Sequence, residues 1–366
     1  MRVRLRIDRL QQLLARSALS QNHWAIRLGL SRGHWSDIVN GRHRYPSART
    51  RQRMIEELGI AVDDLFEIEP AAVSSEDIDF RAGIADRYLI DRELGQGGMG
   101  AVYLARDVAR GRLVALKTIS PEAASGIGAR ALLREIGATA QLHHPNILPL
   151  YDSGVVADHA FFVMPWVREG SLRDRMQRQG RLDPATVARI AQGLANGLAY
   201  AHAEHVLHCD IKPENILLQG DHPYLSDFGI SRVLHLEFSG LRARGTLDLS
   251  AGTPAYVSPE QASGEGEIDG RSDTYSLGCV VYEMLAGRPP FEGTNTMEIV
   301  SRRFTSPAPS LSASHVPAAM AASVERAMSL RPADRFASPV ALGEALGMSI
   351  AGGRRAFPGV RLEVAR

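Results

Sequence analysis

Apolar positions in the first sixty residues recur with a helical period. Ile7, Leu10, Leu13 and Leu14 share one helix face. Ser20 is placed to cap a second helix over residues 21–28, with Gly29 to end it. Ser31 is placed to cap a third, to about Asn40, before Gly41, and a fourth runs over 47–58. Residues 67–85 mix Pro70, Ala71, Ala72, Ser74 and Ser75 with acids and show no period, which reads as a linker. The pattern then changes to short apolar runs. Tyr88-Leu89-Ile90, Val114-Ala115-Leu116-Lys117, residues 160–167 and Ile216-Leu217-Leu218 read as strands, and residues 129–136 as a helix. Asp183 followed by Pro184 is a helix start, and Val187, Ile190, Leu194 and Leu198 give that helix a buried stripe. An apolar helix begins near Arg271, another follows Phe336, and residues 352–366 form a short polar tail.

The chain of 366 residues has room for two or three domains, and its 45% hydrophobic and 23% charged content is that of a globular protein. The net charge of +1 hides an asymmetry: residues 1–53 carry twelve arginines against Asp8 and Asp37, so +10, which leaves −9 for the remainder. No apolar run reaches the eighteen residues of a membrane span, and the arginine-rich start lacks the apolar core of a secretory signal. Cys209 and Cys279 make no disulfide framework, so a cytoplasmic location is expected. Of 42 basic residues only Lys117 and Lys212 are lysine. Arginine cannot replace a compact ammonium that must sit against crowded phosphates. Lysine at just two places therefore singles those two out.

One of them lies in the densest chemistry of the chain, Val206-Leu207-His208-Cys209-Asp210-Ile211-Lys212-Pro213-Glu214-Asn215. Asp210 can accept a hydroxyl proton, Lys212 can neutralise a phosphate, and Asn215 can ligate a hard cation through its carbonyl oxygen. Pro213 keeps the run out of a regular helix. Further on, Ser226-Asp227-Phe228-Gly229 places a second carboxylate on a glycine-ended turn. An amide and a carboxylate able to share magnesium point to phosphate chemistry.

His208-Cys209-Asp210 with Lys212 and Asn215, then Asp227-Phe228-Gly229, resembles the catalytic loop and metal-binding triplet of protein kinases. The form Asp-Ile-Lys-Pro-Glu-Asn is similar to the Ser/Thr class, nearest the bacterial eukaryotic-like (Hanks-type) kinases, over roughly residues 87–346. The resemblance implies a protein Ser/Thr kinase using ATP and Mg2+ (or Mn2+) on protein substrates. It assigns Asp210 as base, Lys212 to the migrating phosphoryl group, Asn215 and Asp227 to the metal, and Lys117 to the α- and β-phosphates, paired with Glu135. It makes Leu94, Gly95, Gln96, Gly97, Gly98, Met99 and Gly100 the glycine-rich loop, where missing side chains let backbone N–H groups approach phosphate. Val102, Ala115 and Leu217 would face adenine, Met164 would gate the pocket, and Pro165 and Val167 would hold the adenine edge. Residues 227–260 would be the activation segment, with Thr246 and Ser250 as phosphate acceptors and Thr253 near Asp210 and Lys212. His208 would pack beneath Phe228, Asp273 would brace the catalytic loop, and Glu260 with Arg335 would form a buried ion pair. Two departures stand out. Cys209 replaces the usual arginine, and Ser258 the usual alanine.

In residues 1–69 the run Leu19-Ser20-Gln21, Ala25, Leu28-Gly29-Leu30-Ser31, Trp35-Ser36, Ile38 and Asn40-Gly41 resembles a Cro/CI (XRE-type) helix-turn-helix domain. That resemblance implies DNA as a partner, with Arg32, His34 and Asp37 at bases and Gln21, Arg42 and Arg44 at phosphates. Such small domains also serve as docking or dimerisation modules, which leaves a homodimer open, and Trp24 and Trp35 read as core. The expected architecture is multidomain: an all-α helix-turn-helix domain (1–69), a linker (70–86), and an α+β two-lobed protein kinase fold (87–347). Its lobes would be 87–164 and 168–347, followed by a tail (348–366). The competing reading is a catalytically inactive nucleotide sensor acting as a DNA-binding transcriptional regulator.

Overall fold

The computed structural model describes residues 2–17, 19–28, 30, 32–41, 48–69, 75–97, 100–119, 141–228, 254–264, 268–293, 295–311 and 316–351. The chain divides into two compact units, residues 1–79 and 80–366.

The first unit holds helices α1 (Ile7–Ala15), α2 (Gln21–Leu28), α3 (Arg32–Val39), α4 (Ala48–Leu58) and α5 (Val62–Leu65). The expected period thus matches the first four. Trp24 and Trp35 are core residues, packed with Leu10, Leu28, Ile38 and Met54. Side chains stitch the helices together. Gln11 donates to the Val39 carbonyl at 2.8 Å, Arg53 to the Leu28 carbonyl at 3.0 Å, and Trp24 Nε1 to Ser17 Oγ at 2.9 Å. The unit is not all-α. Strand β1 (Arg2–Leu5) pairs antiparallel with β2 (Phe66–Glu69), Arg2 opposite Glu69 and Leu5 opposite Phe66. Both are four-residue alternations of polar and apolar residues, too short to register alone. Each is stabilised by a partner sixty-odd residues away.

The expected linker also needs correction. Glu67 to Glu69 lie in β2, and residues Ser75–Ile84 form helix α6. Phe80 and Ile84, one turn apart, are buried with the sheet that follows. Two apolar residues among polar ones make no visible period. Their burial comes from docking on strands, which no local pattern reports.

That sheet has five antiparallel strands in the order β3-β4-β5-β7-β6. They are β3 (Tyr88–Gly97), β4 (Gly100–Asp107), β5 (Leu113–Ile119), β6 (Asp152–Val156) and β7 (His159–Pro165). The rest of the unit is mainly helical: α7 (Leu172–Gln179), α8 (Pro184–Ala203), α9 (Pro259–Ser263), α10 (Gly270–Ala286), α11 (Thr296–Thr305), α12 (Ala318–Ala327) and α13 (Pro339–Ala351). The last of these runs four residues into the expected tail. A short hairpin, β8 (Ile216–Gln219) with β9 (His222–Leu225), lies among them.

Helix α8 starts where Asp183 accepts from Thr186 N at 3.0 Å, with Pro184 in its first turn. It buries Val187, Ile190, Leu194 and Leu198 as the stripe predicts. Helix α10 is buried along nearly its whole length, from Ser272 to Leu285. A helix enclosed on all sides tolerates charge only where partners meet it. Its Asp273 and Glu283 are both partnered, and both bear on the site below. Among the described residues no helix is long and apolar enough to cross a membrane.

Candidate active site

Side chains alternate across a strand, so register decides which residues share a face. Val102 stands opposite Lys117, and Ala115 opposite Met164. All four project from one face of the sheet, as the candidate nucleotide site requires. Val114, Leu116, Phe161 and Val163 lie on the other face, in the core that holds α6. Leu94, Gly95, Gln96 and Gly97 end β3, and Gly100 begins β4. A Cβ on Gly100, whose φ is +149°, would lie 1.9 Å from the Thr118 carbonyl oxygen. Glycine is therefore obligatory where this loop rejoins the sheet. Gly98 and Met99 lie outside the described residues. Pro165 ends β7, Val167 follows it, and Leu217 lies on β8.

Below the sheet, residues 206–215 run as an irregular loop into a 3₁₀ turn, Pro213–Asn215. Lys212 Nζ lies 2.7 Å from Asp210 Oδ2, and Asn215 Nδ2 donates to the same oxygen at 2.9 Å. Asp210 Oδ1 accepts no hydrogen bond among the described residues. The carboxylate is thus pinned through one oxygen and presents the other. Asn215 Nδ2 also reaches the Asp210 carbonyl at 2.9 Å, which fixes the amide and leaves its oxygen for a cation.

Asp227 is brought alongside because Ser226 donates to the Asn215 carbonyl from N at 2.9 Å and from Oγ at 3.0 Å. Asp227 has φ +66°, and its Oδ1 lies 2.8 Å from Lys117 Nζ. Burial alone would push this carboxyl up. The Lys117 ammonium bonded to it, with Lys212 further off, holds it below the usual carboxylate range. An amide oxygen and an ionised carboxylate are hard ligands suited to magnesium or manganese. No cluster of three or more His, Cys, Asp or Glu among the described residues could cage a metal. A cation here would have two protein ligands and take further oxygens from phosphate, as magnesium commonly does.

The loop is held from beneath. Asp273 accepts from His208 N at 2.9 Å, Cys209 N at 2.8 Å and His202 Nε2 at 2.8 Å. Burial would raise the Asp273 carboxyl, but the His202 bond and the charges around it hold it low. His208 is fully buried and its ring lies 4.5 Å from that of Phe228. Its Nδ1 accepts from Asp210 N at 3.3 Å, so its Nε2–H donates to the Ser226 carbonyl at 3.0 Å. Arg335 grips Glu260 through two bonds of 2.7 and 2.8 Å. The expected buried pair, brace and histidine packed against Phe228 are thus all present in the geometry.

Other candidates fall elsewhere. Glu135, Gly229, Thr246, Ser250, Thr253, Arg42 and Arg44 lie outside the described residues. Arg32 and His34 lie on α3, and Gln21 is exposed at the first position of α2.

Two features escape the sequence reading. Gln261 is 3% exposed and joins two parts of the site. Its Oε1 accepts from Ser258 N at 3.1 Å, and its Nε2 donates to the Cys209 carbonyl at 2.9 Å. Ser258 is an N-cap with Gln261 three residues on, a capping box visible in sequence. Nothing local says that its amide reaches Cys209. Arg173 on α7 binds Glu214 at 2.8 Å and Glu283 at 2.6 Å, and also meets the Tyr256 hydroxyl. This cluster joins the 3₁₀ turn, α7, α10 and the segment before α9.

A model of the protein kinase domain matches residues 88–337. The serine/threonine-protein kinase PknD of Mycobacterium tuberculosis is 38% identical over 256 residues, covering 69% of this chain and 38% of PknD. PknL of the same organism is 36% identical over 261 residues, covering 70% of this chain and 64% of PknL. The chain therefore spans less than two thirds of either relative's length. The crystal structure of the Mycobacterium tuberculosis PknI kinase domain superposes with a TM-score of 0.57 at 29% identity, over 72% of this chain and 95% of that one.

Proposed function

The chain belongs to the protein kinase family, and we propose that it transfers the γ-phosphoryl group of ATP to serine or threonine hydroxyls of proteins. The observation that carries this reading is the Asp210 carboxylate, held through Oδ2 by Lys212 and Asn215 with Oδ1 presented. ATP with Mg2+ or Mn2+ supplies the phosphoryl group and the cation that offsets its charge. Asp210 orients the acceptor hydroxyl and takes its proton. Lys212, already beside that carboxylate, neutralises charge on the group in transit. Asn215 and Asp227 would hold the cation. Lys117 would position the α- and β-phosphates, with Glu135, outside the described residues, as the partner the family resemblance assigns to it. Leu94 to Gly100 would lie at the phosphates, while Val102, Ala115, Met164, Pro165, Val167 and Leu217 would receive the adenine. Positioning and fixed charge account for most of such catalysis. The test is phosphate incorporation from labelled ATP into an exogenous Ser/Thr peptide by the wild type and Asp210→Asn. Transfer by the wild type that the variant lacks supports the reading. An inactive wild type favours the nucleotide-sensor alternative.

The +10 charge of residues 1–53 supports a second role, DNA binding by the N-terminal unit in the cytoplasm. Arg42 and Arg44 would meet phosphates, as would Gln21. Arg32 and His34 would face bases. The reading predicts duplex binding by the full chain that weakens steeply with salt. Arg42→Ala with Arg44→Ala should weaken all sequences alike, and Arg32→Ala should relax sequence preference. Absence of duplex binding at low salt would favour a protein-docking module.

A further inference from the structure

Three residues, 85–87, separate the end of helix α6 from the region that matches the protein kinase domain. The packing of α6 ties it to the nucleotide site nonetheless. Phe80 is 2% exposed and Ile84 is fully buried, both against the sheet face opposite Lys117 and Ala115. The Phe80 ring meets Phe161 edge-on at 6.0 Å. Phe161 lies on β7, the strand that ends at Met164 and Pro165. The Arg81 guanidinium lies over the Tyr103 ring at 5.2 Å, and its buried Nε has no hydrogen-bond partner among the described residues. The ring face is thus its main recognition element. Tyr103 sits on β4, three residues beyond Gly100. The helix therefore rests on the backs of the strands that carry the glycine-rich loop and the adenine edge.

Gly83 shows how close this approach is. A Cβ there would lie 2.4 Å from Val156 Cγ1 on β6. Valine is stiff about χ1, so neither side yields without moving the helix or the strand. Gly83 is the second-to-last residue of α6 and has no positive φ, so its backbone conformation does not call for glycine over alanine. Its presence marks a contact that a methyl group would break.

We propose that α6 is a positioning element of the nucleotide site. It fixes β7, β4 and β6 from behind, through Phe80, Arg81 and Gly83 respectively. The proposal rests on the kinase reading above. None of the three touches nucleotide, so each acts through the sheet.

The experiment uses the full chain. Gly83→Ala removes a helix-disfavouring residue, so it raises thermal stability if α6 is merely a helix. If the helix positions the sheet, Gly83→Ala lowers stability and raises KM for ATP at least threefold. KM for the peptide stays unchanged, and adding Val156→Ala restores KM for ATP. Arg81→Ala should also raise KM for ATP, with partial recovery in Arg81→Lys, and it reports even if Gly83→Ala fails to fold. A stabilised Gly83→Ala overturns the proposal. So does a destabilised one whose KM for ATP is that of the wild type, or unchanged KM in Arg81→Ala if Gly83→Ala does not fold. A wild type without phosphoryl transfer overturns the kinase reading instead. MgATP affinity, measured by calorimetry, then tests α6 with the same variants.

Discussion

Lys117 Nζ and Asp227 Oδ1 are 2.8 Å apart, so the cation assigned to the phosphates and the carboxylate assigned to the metal neutralise each other. The two assigned roles are therefore linked. A metal approaching Asp227 competes with the ammonium. Phosphates that draw Lys117 away release the carboxylate. Metal and nucleotide should then bind with positive coupling.

Lys117→Ala should strengthen Mn2+ binding in the absence of nucleotide by several-fold, read by electron paramagnetic resonance titration. Unchanged or weaker binding would show that the pair does not compete with the metal. Lys117→Arg should be severely impaired in transfer despite its charge, because a guanidinium is wider than the ammonium it replaces. Asp227→Asn should abolish metal-dependent transfer while keeping the wild-type circular dichroism.

Asp273 gives a pH dependence of stability. Its folded carboxyl is held below its ordinary value of 3.8. A depressed carboxyl stabilises the fold fully above the unfolded value and loses that stabilisation as pH falls through the folded one. The window therefore lies below 3.8 and extends downward. Asp273→Asn should flatten the acid limb of a plot of Tm against pH. It should also lower kcat, because His208 N and Cys209 N lose a charged acceptor. An acid limb identical to the wild type would contradict this account.

The run from Asp210 to Asn215 was legible because its chemistry is local. Asp210, Lys212 and Asn215 meet within one loop and one 3₁₀ turn, so spacing alone brings them together. The lysine pattern was legible for a chemical reason, since a compact ammonium and a planar guanidinium are not interchangeable. Helix α6 and the β1–β2 ribbon were not legible. Phe80 owes its burial to Phe161, and Leu5 is paired with Phe66, both far along the chain. Gln261 was half-legible: the capping box is written in four residues, but its reach to Cys209 depends on how α9 packs. Arg173 carries no local signal, because its partner Glu283 stands 110 residues further on, in α10.

Arg335 should be the most costly charge to remove. Its side chain is fully buried, and it meets a Glu260 that is 8% exposed. Burial would raise the Glu260 carboxyl, yet the bonds from Arg335 and Ser272 hold it low. Arg335→Ala strands a buried carboxylate, and breaking such a pair costs about 3–5 kcal/mol. Urea denaturation should show that loss. A change below about 1 kcal/mol, the scale of an exposed pair, would mean that water replaces the guanidinium.

Cys209 sets the last expectation. Where an arginine precedes the catalytic aspartate, its guanidinium can grip a phosphate on the activation segment and order it. Cys209 offers neither the charge nor the donor fork. Its backbone is in the left-handed region, φ +61°, a conformation that costs a non-glycine residue about 1–3 kcal/mol. Two buried side chains hold it there: Asp273 takes its N–H at 2.8 Å, and Gln261 donates to its carbonyl at 2.9 Å. The loop carrying Asp210 is thus fixed by an amide and a carboxylate that need no phosphate. Thr246 and Ser250, the candidate acceptors, lie outside the described residues. The Thr246→Ala/Ser250→Ala double variant should accordingly lose less than about tenfold in kcat, or roughly 1.4 kcal/mol, on an exogenous peptide. Gln261→Leu, which removes the donor to Cys209 at similar volume, should lose more than the double variant. The reverse order, with the double variant down a hundredfold and rescued by Cys209→Arg only when the segment is phosphorylatable, would place the switch in the segment after all.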